Sequence, residues 1–104
     1  RVWCLFQPHT YSRTKTFLSE FAEALSHADN IILAPIFAAR EKDTGEISSA
    51  DVAKLISEKY GKNAVYVNSF EDAKNLLAEN LKEGDLLITM GAGDIYLVGE
   101  ALVL

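Results

Sequence analysis

Four short runs, residues 2–6, 31–35, 64–67 and 86–90, are continuously apolar rather than alternating, the pattern of strands buried on both faces and hence of a parallel sheet. Between them the apolar residues fall at helical spacing. Phe17, Leu18, Phe21, Leu25 and Ala28 form one stripe within an amphipathic segment from Thr14 to Ala28. Val52, Leu55, Ile56 and Tyr60 form a second, and Phe70, Ala73, Leu76, Leu77 and Leu81 a third. Helix boundaries agree: Ser48 or Ser49 precedes the second helix, Ser69 precedes the third with Glu71 and Asp72 in its first turn, and Gly61 and Gly84 follow helix ends. The strand-loop-helix repeat continues to Leu104, without internal sequence repeats or linkers, and the one long irregular stretch is residues 36–48. The expected fold is α/β, an open, mostly parallel sheet with helices on both faces. Right-handed crossovers then put every strand-to-helix loop on one rim, where such sheets bind ligands.

The 104 residues suit one domain, 1–104, and 49% apolar with 24% charged residues is ordinary globular usage. Ten Lys and Arg against fifteen Asp and Glu argue against nucleic acid as the main ligand, since duplex binding needs clustered cations, but leave room for a local site for one small anion. The single cysteine, Cys4, lies inside an apolar run and reads as a small core hydrophobe. With no disulfide framework, a reducing cytoplasm fits. No leader and no apolar stretch near twenty residues is present, so neither export nor membrane spanning is expected. Arg1 stands directly before a core strand, and the chain is expected to be cut from something longer.

Three rim loops carry chemistry. The first, Phe6-Gln7-Pro8-His9-Thr10-Tyr11-Ser12-Arg13-Thr14, gathers an amide, an imidazole, hydroxyls, a phenol and a guanidinium where Pro8 stops the ladder. Arg13 can hold a carboxylate or phosphate through its planar fork, or be a solvated surface residue; His9 can donate to an oxyanion or carboxylate, or cap loop backbone. Tyr11 can cover the core edge, and Ser12 or Thr14 can be the helix N-cap. In the second loop Arg40 lies close enough to a strand end to reach the same cleft, whereas Lys42 to Glu46 around Gly45 reads as a solvated turn. The third is Met90-Gly91-Ala92-Gly93-Asp94, whose glycines permit positive φ and close backbone approach to a ligand; Asp94 reads as a helix cap or as a contact to a ribose or ammonium group. A full dinucleotide fingerprint, a Walker sequence, paired metal-ligand spacings and a Gly-x-Ser-x-Gly elbow are all missing from the sequence, so neither a nucleotide nor a metal site is expected by motif.

The first loop, the block Ile36-Phe37-Ala38-Ala39-Arg40-Glu41, and Thr89 to Ile95 followed by Val98-Gly99-Glu100-Ala101-Leu102 together resemble the C-terminal domain of the Mur ligase family, in the branch that joins L-alanine to UDP-N-acetylmuramate. The resemblance covers essentially the whole chain. It implies a Rossmann-like domain that lacks the family's first strand and helix, leaving an open sheet edge. It also implies a three-domain cytoplasmic enzyme of peptidoglycan synthesis, cell-wall biogenesis, cell shape and cell division. In that enzyme the UDP-sugar, ATP and Mg2+ are held mainly by the other two domains, this fragment binds no cofactor alone, and it is inactive alone. By resemblance His9, Thr10, Arg13 and Arg40 bind substrate, Gly91, Gly93 and Asp94 line the cleft or meet the nucleotide, and no catalytic residue is assigned. Many relatives carry a second arginine where Thr10 stands, so the carboxylate clamp is expected to use fewer charged contacts. Alternatives are another Mur-type ligase, such as the one that recycles murein tripeptide, or a free-standing anion- or nucleotide-binding regulatory module, which a doubly wound sheet supports equally.

Overall fold

A computed structural model describes residues 1–91 and 93–103; Ala92 of the third loop and Leu104 lie outside the described residues. The strands β1 (Val2–Phe6), β2 (Asn30–Leu33), β3 (Asn63–Tyr66) and β4 (Leu86–Met90) form one all-parallel sheet in the order β3-β2-β1-β4. They are joined through α1 (Tyr11–Thr16), α2 (Leu18–Leu25), α3 (Ser49–Tyr60) and α4 (Phe70–Asn80), and α5 (Tyr96–Leu102) follows β4.

Alternate strand residues bury against opposite layers. Cys4 and Phe6 with Ile31 and Leu33 pack on Ala22 and Leu25 of α2 and Val52, Ala53 and Ile56 of α3. Trp3 and Leu5 with Ile32 and Ala34 pack on Ala73 and Leu77 of α4 and on Ile95 and Val98 near and in α5. The chain winds from β1 to β3 in one direction with its helices on one face, then crosses the other face through α4 to lay β4 beside β1. Right-handed crossovers require that change of face when the winding reverses. The reversal makes the gap between β1 and β4 the topological switch point, at which the loops leaving the two strands diverge.

The third expected cap is Ser69, whose hydroxyl accepts from the Asp72 amide at 3.1 Å; at α3, Ser48 is the cap, with Asp51 reaching back to its amide at 2.8 Å. Gly61 closes α3 in the left-handed conformation at φ 65°, but Gly84 sits in a turn beyond α4, where the Asp85 amide donates to Lys82. The first helix departs from its expected form. It starts at Tyr11, is capped by Thr10 rather than Ser12 or Thr14, and changes to α2 at Phe17, where φ −109° and ψ 24° leave helical geometry. Thr14 is instead buried, its hydroxyl donating to the Thr10 carbonyl at 2.7 Å.

β4 pairs only with β1 among the described residues, and Leu86, Ile88 and Met90 on its α2-side face are 56%, 41% and 45% exposed. Among the described residues β4 is thus an edge strand, flanked by a groove of about 220 Å3 between β4, β1 and α2. Cys4 is buried there, its thiol pushed up to about 11 by desolvation, and it is inert as the sequence suggests. No helix among the described residues is long and apolar enough to cross a membrane.

At the opposite rim Asp85 ties the start of β1 to the start of β4. Its carboxylate accepts from Arg1 Nη2 at 2.9 Å, the Lys82 amide at 2.9 Å and Trp3 Nε1 at 3.2 Å. The Arg1 guanidinium, then the Lys82 amide, hold this carboxyl well below its ordinary value of 3.8. A depressed carboxyl adds stability that is present above the unfolded value and is lost as pH falls towards the folded one. Asp85→Asn is therefore expected to melt lower than the parent at pH 7, with the difference shrinking as the pH drops below 3.8, read by thermal melts across pH.

Candidate functional site

Backbone pairing carries on past the strand ends and draws the three loops together. The Gln7 amide donates to Met90 O at 2.9 Å and the Ala34 amide to Phe6 O at 2.9 Å. Further out Phe37 N donates to Pro8 O at 2.8 Å and Thr10 N to Phe37 O at 2.7 Å, a parallel bridge that sets His9 opposite Phe37. The imidazole lies nearly flat on the Phe37 ring, centroids 5.6 Å apart and 13° between planes. The first and third loops thus emerge side by side above β1 and β4, with the start of the second loop against them.

The glycines of the third loop pack closely against the chain itself. Gly91 is not at positive φ. What each position excludes is a Cβ: at Gly91 one would lie 3.0 Å from Ile95 Cγ2 and 3.2 Å from both Gln7 Cβ and Gln7 O; at Gly93, 3.3 Å from Gln7 Oε1 and 3.5 Å from Phe37 Cδ2. The turn packs onto the chain's own first and second loops. Gln7 is the post it leans on, only 7% exposed, with Nε2 donating to Pro35 O at 3.1 Å and Oε1 buried without a partner among the described residues. Asp94 makes no side-chain cap; its carbonyl accepts from Leu97 N, and α5 starts at Tyr96 without a capping side chain.

Positive φ occurs instead at two non-glycine positions beside the cleft, Thr10 (62°) and Ala39 (56°). Each costs about 1–3 kcal/mol and is held by its surroundings. Thr10 is fixed by its amide bond to Phe37 and by its Oγ1, which accepts from the Arg13 amide at 3.3 Å; Ala39 is held in a turn closed by Glu41 N donating to Ala38 O at 3.0 Å. Arg13 and Arg40 are exposed, and neither guanidinium makes an ion pair or hydrogen bond among the described residues. Both cations follow backbone that converges at the strand ends: Arg13 lies three residues after Thr10 and Arg40 three after Phe37, the two residues joined by the amide hydrogen bond of the bridge.

The remaining second-loop charges behave as a solvated turn. Lys42, Asp43 and Glu46 are exposed, Asp43 accepts from the Gly45 amide, and the Lys15–Glu46 pair at 2.7 Å lies in water, where such pairs contribute little. Tyr11 joins Asp43, Ser48 and Tyr66 around a pocket of about 180 Å3. Desolvation, then the nearby Asp43 carboxylate, raises its phenol above the ordinary value. A cleft of about 760 Å3 lies between α1 and residues 41–47.

One participant escapes the motif reading. The Glu41 carboxylate accepts from Tyr11 N at 2.7 Å, Ser12 N at 3.0 Å and the Ser12 hydroxyl, closing the first turn of α1 from thirty residues away. The Ser12 bonds keep its carboxyl below the ordinary value. The signal for it is indirect: α1 has no acidic residue in its own first turn.

The family model described as Mur ligase, glutamate ligase domain, matches residues 1–93. The chain belongs to the Mur ligase family. Similar Mur ligases include proteins named UDP-N-acetylmuramate–L-alanine ligase from Lachnospira eligens, 61% identical over 99% of this chain, and from Lachnoclostridium phytofermentans, 51% identical over 98%. The namesake from Caldanaerobacter subterraneus is 54% identical over 96%. The chain spans 22% of the length of each of these Mur ligases.

Proposed function

We propose that this chain is the closing, substrate-binding domain of a cytoplasmic ligase that uses ATP to join L-alanine to UDP-N-acetylmuramate in peptidoglycan precursor synthesis, and that it is inactive by itself. The supporting observation is the close packing of Gln7, Phe37 and the Gly91–Gly93 turn, with His9 on Phe37, beside the switch point between β1 and β4, together with the names of the relatives. ATP enters as a co-substrate. The described residues contain no group of three His, Cys, Asp or Glu that could hold a metal, and the sequence has no P-loop, so this reading assigns Mg-ATP and the UDP-sugar to the other domains of a longer protein.

In the reaction the sugar's carboxylate takes the γ-phosphoryl group to give an acyl phosphate and ADP. The alanine amine, having lost its ammonium proton, attacks the acyl carbon and expels phosphate. This domain's part is to orient the amino acid and exclude water from the acyl phosphate. Arg13 and His9 hold the alanine carboxylate or the transferring phosphoryl oxygens, Arg40 adds a second guanidinium, and the Thr10 hydroxyl stands where a further charge would otherwise sit. Gly91, Gly93 and Asp94 line the cleft. Phosphate release by the full-length protein is the test: it is expected to require ATP, L-alanine and UDP-N-acetylmuramate together. Turnover without either of the last two, or tight ATP binding by residues 1–104 alone, would defeat the reading.

A further inference from the structure

We infer that Glu41 is a positioning residue for the amino-acid clamp, its carboxylate setting Arg13 and Arg40 in a common geometry by closing α1 from across the cleft. The inference rests on the proposed reading of that clamp. Among the described residues Glu41 makes no ion pair; its partners are the two backbone amides of the first α1 turn and the Ser12 hydroxyl. It is therefore a helix cap supplied from another loop and not a surface ion pair.

The structure around it depends on that cap. With six residues α1 is too short to persist on propensity alone. Its start leaves four amides without an intrahelical partner: Thr10 N goes to Phe37 O, Glu41 takes Tyr11 and Ser12, and Thr10 Oγ1 takes Arg13 at a long 3.3 Å, before Thr14 N makes the first intrahelical bond to Thr10 O. Thr10 itself is held at φ 62°. On the other side, the tight turn closed by the Glu41 amide, with Ala39 at φ 56°, leads directly into the anchored carboxylate.

Chain order then gives the carboxylate its role. Arg13 is the residue after Ser12, whose amide and hydroxyl Glu41 holds; Arg40 is the residue before Glu41. Each guanidinium-bearing residue is one peptide from the same three hydrogen bonds. Without that anchor the links left between the two segments are the Gln7 side-chain amide on Pro35, the Pro8–Phe37–Thr10 backbone bridge, which fixes His9 but ends three residues from either arginine, and the exposed Lys15–Glu46 pair, which contributes little. Two like charges would then be free to separate.

The test uses the full-length protein with Glu41→Ala and Glu41→Gln, measuring the KM for L-alanine, ATP and UDP-N-acetylmuramate and the melting temperature. Glu41→Ala is expected to raise the KM for L-alanine by about tenfold while the other two change by less than about twofold, because only a group held by the clamp feels its geometry. Glu41→Gln keeps an acceptor for the amides, and its carboxamide can donate to Ser12, so it is expected to recover most of the loss. Equal rises in all three constants with a large drop in melting temperature, or no recovery with Gln, would mark a merely structural cap and overturn the inference. Arg13→Ala is run beside them. If it raises the KM for L-alanine and Glu41→Ala does not, the positioning role fails; if Arg13→Ala itself changes nothing, the clamp reading beneath it fails.

Discussion

Arg13→Ala in the full-length protein is expected to raise the KM for L-alanine by at least tenfold, or to lower kcat/KM by as much, with little change in melting temperature. A hydrogen bond to an ionised group contributes about 1.5–3 kcal/mol, and each 1.4 kcal/mol is a factor of ten. Arg13 is exposed and its guanidinium has no partner among the described residues, so its removal leaves no buried group unsatisfied. That separates its contribution to binding from stability. Arg13→Lys is expected to recover only part of the loss, because a point charge cannot present the fork that grips a carboxylate from two sides. Lys42→Ala is the matched control: it removes an exposed cation from the same loop region but far from the glycine turn, and is expected to stay within about twofold of the parent. Steady-state kinetics with varied L-alanine decide both. Unchanged constants for Arg13→Ala would take this residue out of the site.

Gly91→Ala is expected to destabilise the fold by about 1–3 kcal/mol, the usual cost of forcing an extra methyl into a packed position. The methyl would sit 3.0 Å from Ile95 Cγ2 and 3.2 Å from the Gln7 carbonyl oxygen. Ile95 is buried and the Gln7 backbone is fixed by its bond to Met90, so neither neighbour gives way easily. The strain is relieved by lifting the turn off Gln7, which also carries Asp94 and the third loop away from His9. A lower melting temperature together with weakened turnover is the expected pair of results. A parent-like melt would mean that the turn packs less closely on β1 than described.

The fold was legible because burial on both faces writes itself into composition: runs such as Ile31 to Ala34 admit no polar residue, and the stripe through Val52, Ile56 and Tyr60 has one period only. The shared rim followed from handedness. Less was legible where the causes are non-local. The start of α1 is set by Thr10 in a left-handed conformation and by a glutamate from a distant loop, and no local rule of capping contains either. Gly91 and Gly93 were visible as special, but a glycine kept for want of space, as Gly91 is, looks in sequence like one kept for its torsion angles; only coordinates tell them apart. His9, Thr10, Arg13 and Arg40 were identifiable as chemistry-bearing residues, while Gln7, whose amide ties the glycine turn to Pro35, reads as one more polar loop residue.

The crevice also has a kinetic signature. It exists only once β1 has found β4, a pairing whose Arg1–Asp85 tie spans 84 positions of sequence, whereas β1 with β2 and β2 with β3 close far shorter loops. Distant closure is the slow step in assembling such a topology. The β3-β2-β1 half can therefore collapse first, with β4 arriving last. Occupancy of the crevice by a substrate would then hold the final strand in place, so that ligand and late folding are linked in one equilibrium.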